Sequence, residues 1–356
     1  MGRSTTWMGL MLAILSTSVQ AADSGAYFSH QDWEVACDNT GTCRAAGYQD
    51  FDDPQSVSVL LTRNAGPDTP VTGKLRIGEV NLDDVQLASL HDDPGIALRI
   101  DGRLVGNLEI DPDSLTADLP EKLVAALLAV FHRNSDIEWT HDDYRWHLSD
   151  AGATAVLTKM DDVQGRVGTP GALVATGSNR EGNVPPPTPA PVVVAVPVAE
   201  KAGSPQPLPT GDRPDLRTAL AATLGSDDEC LGLSPSGNVG ELEAVRLTDR
   251  RLLVSTTCWM GAYNMGTGYW VVNDTAPYQP ALVTLSASGY EDGTIYAAQK
   301  GRGLGDCWSR DDWTWNGERF VHTASYTTGK CRLIAAGGAW ILPTLVTEVQ
   351  KTSETH

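Results

Sequence analysis

Cations and aromatic rings gather at one place in an otherwise acidic chain. The run Lys300-Gly301-Arg302-Gly303-Leu304-Gly305-Asp306-Cys307-Trp308 is followed closely by Arg310, so three cations stand beside one indole. That combination suits a sugar, a peptide carboxylate or a phosphate head group, because the cations pair with an anion while the ring covers a flat face. It does not suit a nucleotide loop: strands flank it, and no helix follows to aim N–H groups at a phosphate. Its glycines read first as positive-φ turn positions that steer the chain into a disulfide at Cys307. Tyr263 and Asn264, just beyond Cys258-Trp259, add a ring and an amide that a strand-rich fold can bring alongside. The candidate ligand-binding residues are Lys300, Arg302, Trp308, Arg310, Tyr263 and Asn264.

Signatures of catalysis are missing. The chain holds no G-x-S-x-G elbow, no Walker A sequence, no H-E-x-x-H and no D-x-D-x-D-G calcium loop. His132, His141 and His147 fall near Asp142-Asp143, and His141 and His147 have the parity to share a face. Without helical H-x-x-x-H spacing they read as a solvated hairpin tip, and no metal or cofactor is assigned. Acidic doublets such as Asp52-Asp53, Asp161-Asp162 and Asp311-Asp312 sit mostly beside turn residues, which accounts for them without a glycosidase acid and base. A binding protein is therefore expected rather than an enzyme. The alternatives are a cell-wall hydrolase with an Asp/Glu pair drawn from distant loops, and a protein inhibitor of lysozyme or protease type.

The start of the chain reads as an export signal. Arg3 precedes an apolar stretch from Met8 to Leu15, and Val19-Gln20-Ala21 sets small residues at the −3 and −1 positions, so cleavage is expected after Ala21. No other run approaches the 20 or so apolar residues of a spanning helix, so the mature chain is expected in the periplasm or secreted. Six cysteines then fit an oxidising compartment. Nearest-neighbour pairing is expected, Cys37 with Cys43, Cys230 with Cys258 and Cys307 with Cys331, each contributing about 3 kcal/mol. No C-x-x-C is present to favour zinc.

The 356 residues carry 26 basic and 45 acidic side chains, a formal charge of −19 that is unfit for nucleic acid. Two domains are expected from this length. Residues 22–176 mix strand and helix patterns and form an α+β domain: short apolar runs at 57–62, 75–80 and 96–100, a hairpin at Asp101-Gly102, a helix at 119–132, a strand pair turning at Asp142-Asp143, and a helix capped by Ser149 or Asp150 that reaches Gln164. Residues 177–212 are rich in proline and read as a semi-rigid spacer. Residues 213–351, after a short helix at 215–224, read as a mainly antiparallel β domain, a sandwich or barrel, with strands through 242–335 and a hairpin turn at Asn316-Gly317; residues 352–356 are a tail. Trp259, Trp270, Trp308, Trp313, Trp315 and Trp340 lie there, and packing is their first reading. Residues 22–176 hold most of the acidic excess, with 11 basic residues against 26 acidic, whereas 213–356 are nearer balance at 12 against 16. An anion is better received by the C-terminal part.

Four sets of residues together resemble a known family. They are Asp32-Trp33, Cys37, Cys43-Arg44 and Gly47-Tyr48; Asp161, Gln164-Gly165-Arg166 and Gly168-Thr169; Gly261 and Asn264; and Lys300 through Cys307. The chain is similar over nearly its whole mature length to the bacterial exported family termed domain of unknown function DUF 1176. Its Trp-x-x-x-Cys opening also resembles the invasion-associated locus B proteins. What this implies is an exported, periplasmic protein of a Gram-negative bacterium, and the resemblance transfers no catalytic residue; an envelope ligand or protein partner is expected from the cluster of cations and rings instead. Trp308 departs from the pattern, which would place a small residue after the glycine-rich run. If the cysteines pair as read, a thiol titration of the denatured, unreduced mature chain returns no free thiol; finding six would overturn both the pairing and the oxidising compartment.

Overall fold

β-Branched and aromatic residues recur through the chain in short runs broken by glycine, proline, asparagine and aspartate, and strands form where they do. The computed structural model describes residues 25–80, 82–199, 206–208, 214–234 and 240–352. The expected signal segment, residues 1–21, lies outside the described residues, as do parts of the proline-rich stretch and the tail.

In chain order the N-terminal elements are β1 (Ala26–His30), β2 (Trp33–Cys37), β3 (Cys43–Tyr48), β4 (Val57–Arg63), β5 (Val71–Ile77), α1 (Asp84–Asp92), β6 (Gly95–Ile100), β7 (Arg103–Glu109), β8 (Thr116–Leu119), α2 (Glu121–Leu128), β9 (Ile137–His141), β10 (Tyr144–His147) and α3 (Ala153–Val163). They make a six-stranded antiparallel sheet in the order β1-β2-β3-β4-β5-β8 and a four-stranded one in the order β10-β9-β6-β7. One core joins both sheets to α2 and α3, with Trp33, Leu75, Trp139, Trp146 and Leu157 all essentially without solvent contact. The remaining strands are β11 (Val192–Ala195), β12 (Gln206–Pro207), β13 (Glu243–Thr248), β14 (Arg251–Met260), β15 (Met265–Asn273), β16 (Ala281–Ala287), β17 (Gly289–Glu291), β18 (Thr294–Lys300), β19 (Trp308–Trp315), β20 (Phe320–Thr327), β21 (Leu342–Leu345) and β22 (Glu348–Lys351), with α4 (Pro214–Ala221) before β13. β12 to β16 and β17 to β21 form two five-stranded open sheets, so neither closes as a barrel. Leu253, Tyr269 and Val271 of the first sheet pack with Ile295, Trp315 and Phe320 of the second.

Several boundaries differ from the sequence reading for definable reasons. Leu119 ends β8, and Pro120 caps α2, since its fixed φ suits a helix start and its missing N–H costs nothing there. α3 begins after Gly152 at φ 96 rather than after Ser149 or Asp150, whose side chains are bonded elsewhere. α1 carries a capping box, Asp83 with Gln86, that the apolar pattern did not reveal. Residues 332–335, expected as a strand, form a loop because Leu333 is left-handed at φ 56 and Arg332 reaches away to Asp32 and Gln49.

Two sets of long-range contacts bind the chain into its final form. The first is a buried network in which Arg63 of β4, 1 % exposed, donates to Asp161 (2.5 Å), Gln164 (2.7 Å) and the Gly171 carbonyl (3.0 Å). Arg166 continues it to Glu181 and the Gly66 carbonyl. Burial lowers the Arg63 pKa, and Asp161 only partly offsets this. The second set joins the N-terminal sheet to the segment between β20 and β21. Trp340 donates to Ser58 (2.7 Å), Arg76 to the Ala339 carbonyl (3.0 Å), and Ile334 and Leu342 pack with Ala36, Ala46 and Tyr48. The proline-rich segment is fastened as well. Thr188 donates to Thr40, β11 pairs in parallel with β22, and Val196 and Ala199 donate to Trp315 and Leu247. Val192 to Ala195 lie between prolines and so keep the N–H groups that such pairing needs.

Removing one member of a buried ion pair strands the other. Asp161→Ala is expected to destabilise the fold by about 3–5 kcal/mol, and the double change Arg63→Met with Asp161→Leu by clearly less. Urea unfolding of the two variants checks this; equal losses would mean that the pair is not the element at work.

Candidate functional site

The glycine-rich run is the turn between β18 and β19, and a hydrogen-bonded frame holds it. Asn264, at the tip of the β14–β15 hairpin, accepts from the Lys300 N–H and donates to the Lys300 carbonyl, both at 2.9 Å. Arg302 forks onto Asp306 at 2.8 and 2.6 Å, and Asp306, 3 % exposed, also accepts from the Leu333 N–H. Burial alone would raise the Asp306 carboxyl, but Arg302 and the Leu333 N–H outweigh it and hold the pKa below its usual value. Cys307 pairs with Cys331, as Cys37 does with Cys43 and Cys230 with Cys258. Gly301 has no room for a side chain, since a Cβ there would stand 2.6 Å from the Cys307 sulfur.

This frame separates the candidate residues by role. Arg302 and Asn264 are committed to the loop itself. Arg310 is paired with Asp312 at 2.9 Å and stacked 5.0 Å from the centre of the Tyr296 ring. Tyr263 is half-exposed beside Gly303. Lys300 and Trp308 stay together, as a directly opposed pair across β18 and β19 with the ammonium 5.4 Å from the indole centre. Among the described residues Lys300 forms no salt bridge.

Lys300 and Trp308 line an open groove of about 340 Å³ whose floor is the Cys307–Cys331 disulfide. The other wall comes from Tyr27 of β1, with Lys330 and Thr327 beside the disulfide. Lys330, which the sequence reading missed, donates to Ser29 at 2.6 Å. Burial lowers its pKa, partly countered by Glu34. The signal that could have found it is the disulfide: pairing Cys331 with Cys307 brings residue 330 to the loop. Beneath the groove Glu34, 1 % exposed, accepts from the hydroxyls of Tyr27 and Tyr48 and from the Lys330 N–H, each at 2.7 Å. Burial, with Glu34 adding to it, pushes both tyrosines well above the ordinary phenol range. Gly329, at φ 93, lets the backbone pass against the Tyr48 hydroxyl.

The histidine cluster dissolves. In the β9–β10 hairpin His147 opposes Glu138 and Tyr144 opposes His141, so partners have opposite parity and His141 and His147 fall on opposite faces. His141 is buried between the Ser89 hydroxyl and the Gly95 carbonyl. His147 stands at the surface, 3.4 Å from Asp136 and 3.6 Å from Glu138. His132 is exposed.

Fold and groove together define a mostly β protein cross-braced by three disulfides, with no helix among the described residues long and apolar enough to cross a membrane. The family described as "Protein of unknown function (DUF1176)" matches residues 27–347, and the chain belongs to it. It is also 28 % identical over 331 residues to the uncharacterized protein YpfG of Escherichia coli (strain K12), covering 86 % of this chain and 89 % of that protein. No solved structure matches.

Because the folded Asp306 pKa lies below its ordinary value, its contribution to stability is complete above that ordinary value and is lost as pH falls through the lowered one. Arg302→Ala is expected to cost about 1.5–3 kcal/mol at pH 7 and to flatten the stability profile below pH 4, the region where the usual aspartate pKa of 3.8 lies. Unfolding curves between pH 7 and pH 2 check both; a variant that keeps the parent's acid slope would refute the assignment.

Proposed function

We propose that this is an exported, periplasmic binding protein, not an enzyme, and that the groove over the Cys307–Cys331 disulfide takes an anionic ligand with a flat face, an acidic sugar or a peptide carboxylate of the envelope. The observation that carries this reading is Lys300, a cation held over the Trp308 indole at 5.4 Å with its charge unspent on any carboxylate of the described residues. Lys330 stands in the same groove, so two ammonium groups and two rings, Tyr27 and Trp308, face one open space. Cations supply the attraction for an anion, and rings the apolar face that orders a sugar or a planar group.

Three disulfides and an export-type N-terminus support the periplasm. In a hydrolase two carboxylates would have to face the substrate. Glu34 is the carboxylate that lines this groove, and its oxygens are taken by Tyr27, Tyr48 and the Lys330 N–H.

The test is calorimetric titration of the mature chain with a muramic-acid-containing disaccharide and with neutral chitobiose. The acidic sugar is expected to bind and the neutral one to bind at least tenfold more weakly. Trp308→Ala and Lys300→Ala should each weaken acidic-sugar binding about tenfold, a difference of about 1.4 kcal/mol. Equal affinity for the two sugars, or variants that bind as the parent does, would refute the site.

A further inference from the structure

A second recess lies away from this groove, where the two C-terminal sheets diverge. Val271 and Val283 of β15 and β16 form one wall, and Trp313 and Phe320 of β19 and β20 the other, with Val193 of β11 across the side. Its volume is about 680 Å³, within the roughly 300–1,000 Å³ of small-molecule sites. A further recess of about 480 Å³ continues from it along Val192 to Val194 and the β19–β20 hairpin. The walls are mostly apolar, and no side chain from the rest of the described chain fills the space between them.

The polar groups on this recess are few and mainly cationic. Arg251 and Arg319 both line it, and among the described residues neither guanidinium is in an ion pair. His322 stacks on Trp313 with ring centres 5.0 Å apart, and its Nε2 lies 2.9 Å from Asp311, which fixes the ring at the wall. Glu318 is the one carboxylate that lines the space. Two uncompensated arginines against one glutamate make a positive lip on a chain of formal charge −19. An apolar slot with a positive lip complements a molecule with a long apolar body and one anionic end. Guanidinium forks fit a carboxylate in particular, since they present paired N–H donors to its two oxygens.

We propose that this cleft binds a single-chain acyl carboxylate, with the hydrocarbon between the two sheets and the carboxylate at Arg251 and Arg319. The site is independent of the Lys300–Trp308 groove and does not rest on it.

The probe is palmitate, below its micellar concentration, displacing fluorescent parinaric acid from the full mature chain; hexadecanol serves as the same chain without charge. Palmitate is expected to bind saturably at one per chain, and hexadecanol at least tenfold more weakly. Arg319→Glu and Arg251→Ala should each weaken palmitate about tenfold and leave hexadecanol unchanged. Val283→Trp fills the slot and should abolish both, whereas Trp308→Ala, at the other groove, should change neither. Arg319 is solvent-exposed, so its charge reversal tests the head-group site even if Val283→Trp unfolds the chain, which circular dichroism would reveal. Absence of saturable palmitate binding, or binding indifferent to Arg319→Glu, overturns the proposal. So does sedimentation showing a dimer that Val283→Trp dissociates while palmitate stays unbound, since a second copy would then occupy the cleft.

Discussion

Glu34 is the group on which the two halves of the chain converge. A carboxylate enclosed by protein has to find donors to replace the water it has lost, and a partly satisfied one is costly. Its three donors come from β1, from β3 and from the backbone at Lys330, which lies 296 residues further along the chain. Asp32 and Arg332, at 2.5 Å and both largely buried, brace the same junction, and Gln49 donates to the Arg332 carbonyl beside it. Hydrogen bonds thus cross the junction in both directions, from the Lys330 N–H and Arg332 to Glu34 and Asp32, and from Gln49 to the Arg332 carbonyl. The groove exists because this junction holds Tyr27 on one side of the Cys307–Cys331 disulfide and Trp308 on the other.

Most of the residues behind the family resemblance are spent on architecture. Asp161, Gln164 and Arg166 make up the buried network around Arg63, and Asp32, Trp33 and Tyr48 belong to the junction or the core beneath it. Asn264 clasps the ends of two hairpins, and Arg302 with Asp306 keeps a glycine-rich turn in one shape. These are buried or reciprocally bonded polar groups, whose loss leaves unpaired partners behind. The Lys300 ammonium differs from them in having no such partner among the described residues, while the Trp308 indole N–H is bonded to the Gly305 carbonyl at 2.9 Å.

What the sequence made legible was local. The Asp101-Gly102 turn was readable because such a pair accepts the positive φ that a two-residue hairpin demands, and both residues adopt it; Asn316-Gly317 marked a turn too, but one of four residues between β19 and β20 in which Gly317 is at positive φ and Asn316 is not. The disulfide pairing was readable because cysteines near one another in sequence come close without help from distant chain, Cys37 and Cys43 on adjacent strands and the other two pairs across 28 and 24 residues. The pairing of Arg302 with Asp306 and of Arg310 with Asp312 was open to the same kind of local reading, and it gives two of the candidate cations a carboxylate partner within the loop and strand. The contact between Lys330 and Glu34 was not legible, since nothing in either neighbourhood encodes a partner some 300 residues away. Nor was the strand Val192–Ala195: its proline-rich surroundings speak for a spacer, and only the presence of β22 gives its N–H groups an acceptor.

That parallel pairing of β11 with β22, together with the Glu34 contact, bears on the order in which the protein is built. A chain is made from its N-terminus, and early segments begin to fold before later ones exist. Here the first sheet carries acceptors, and a face of Ala36, Ala46 and Tyr48, that are covered only when residues 330–342 arrive. Contacts of such high sequence separation are slow to form, because a long loop must close before any energy is returned. The first sheet therefore keeps an unfinished apolar face until residues 330–342 dock, the kind of surface that chaperones hold.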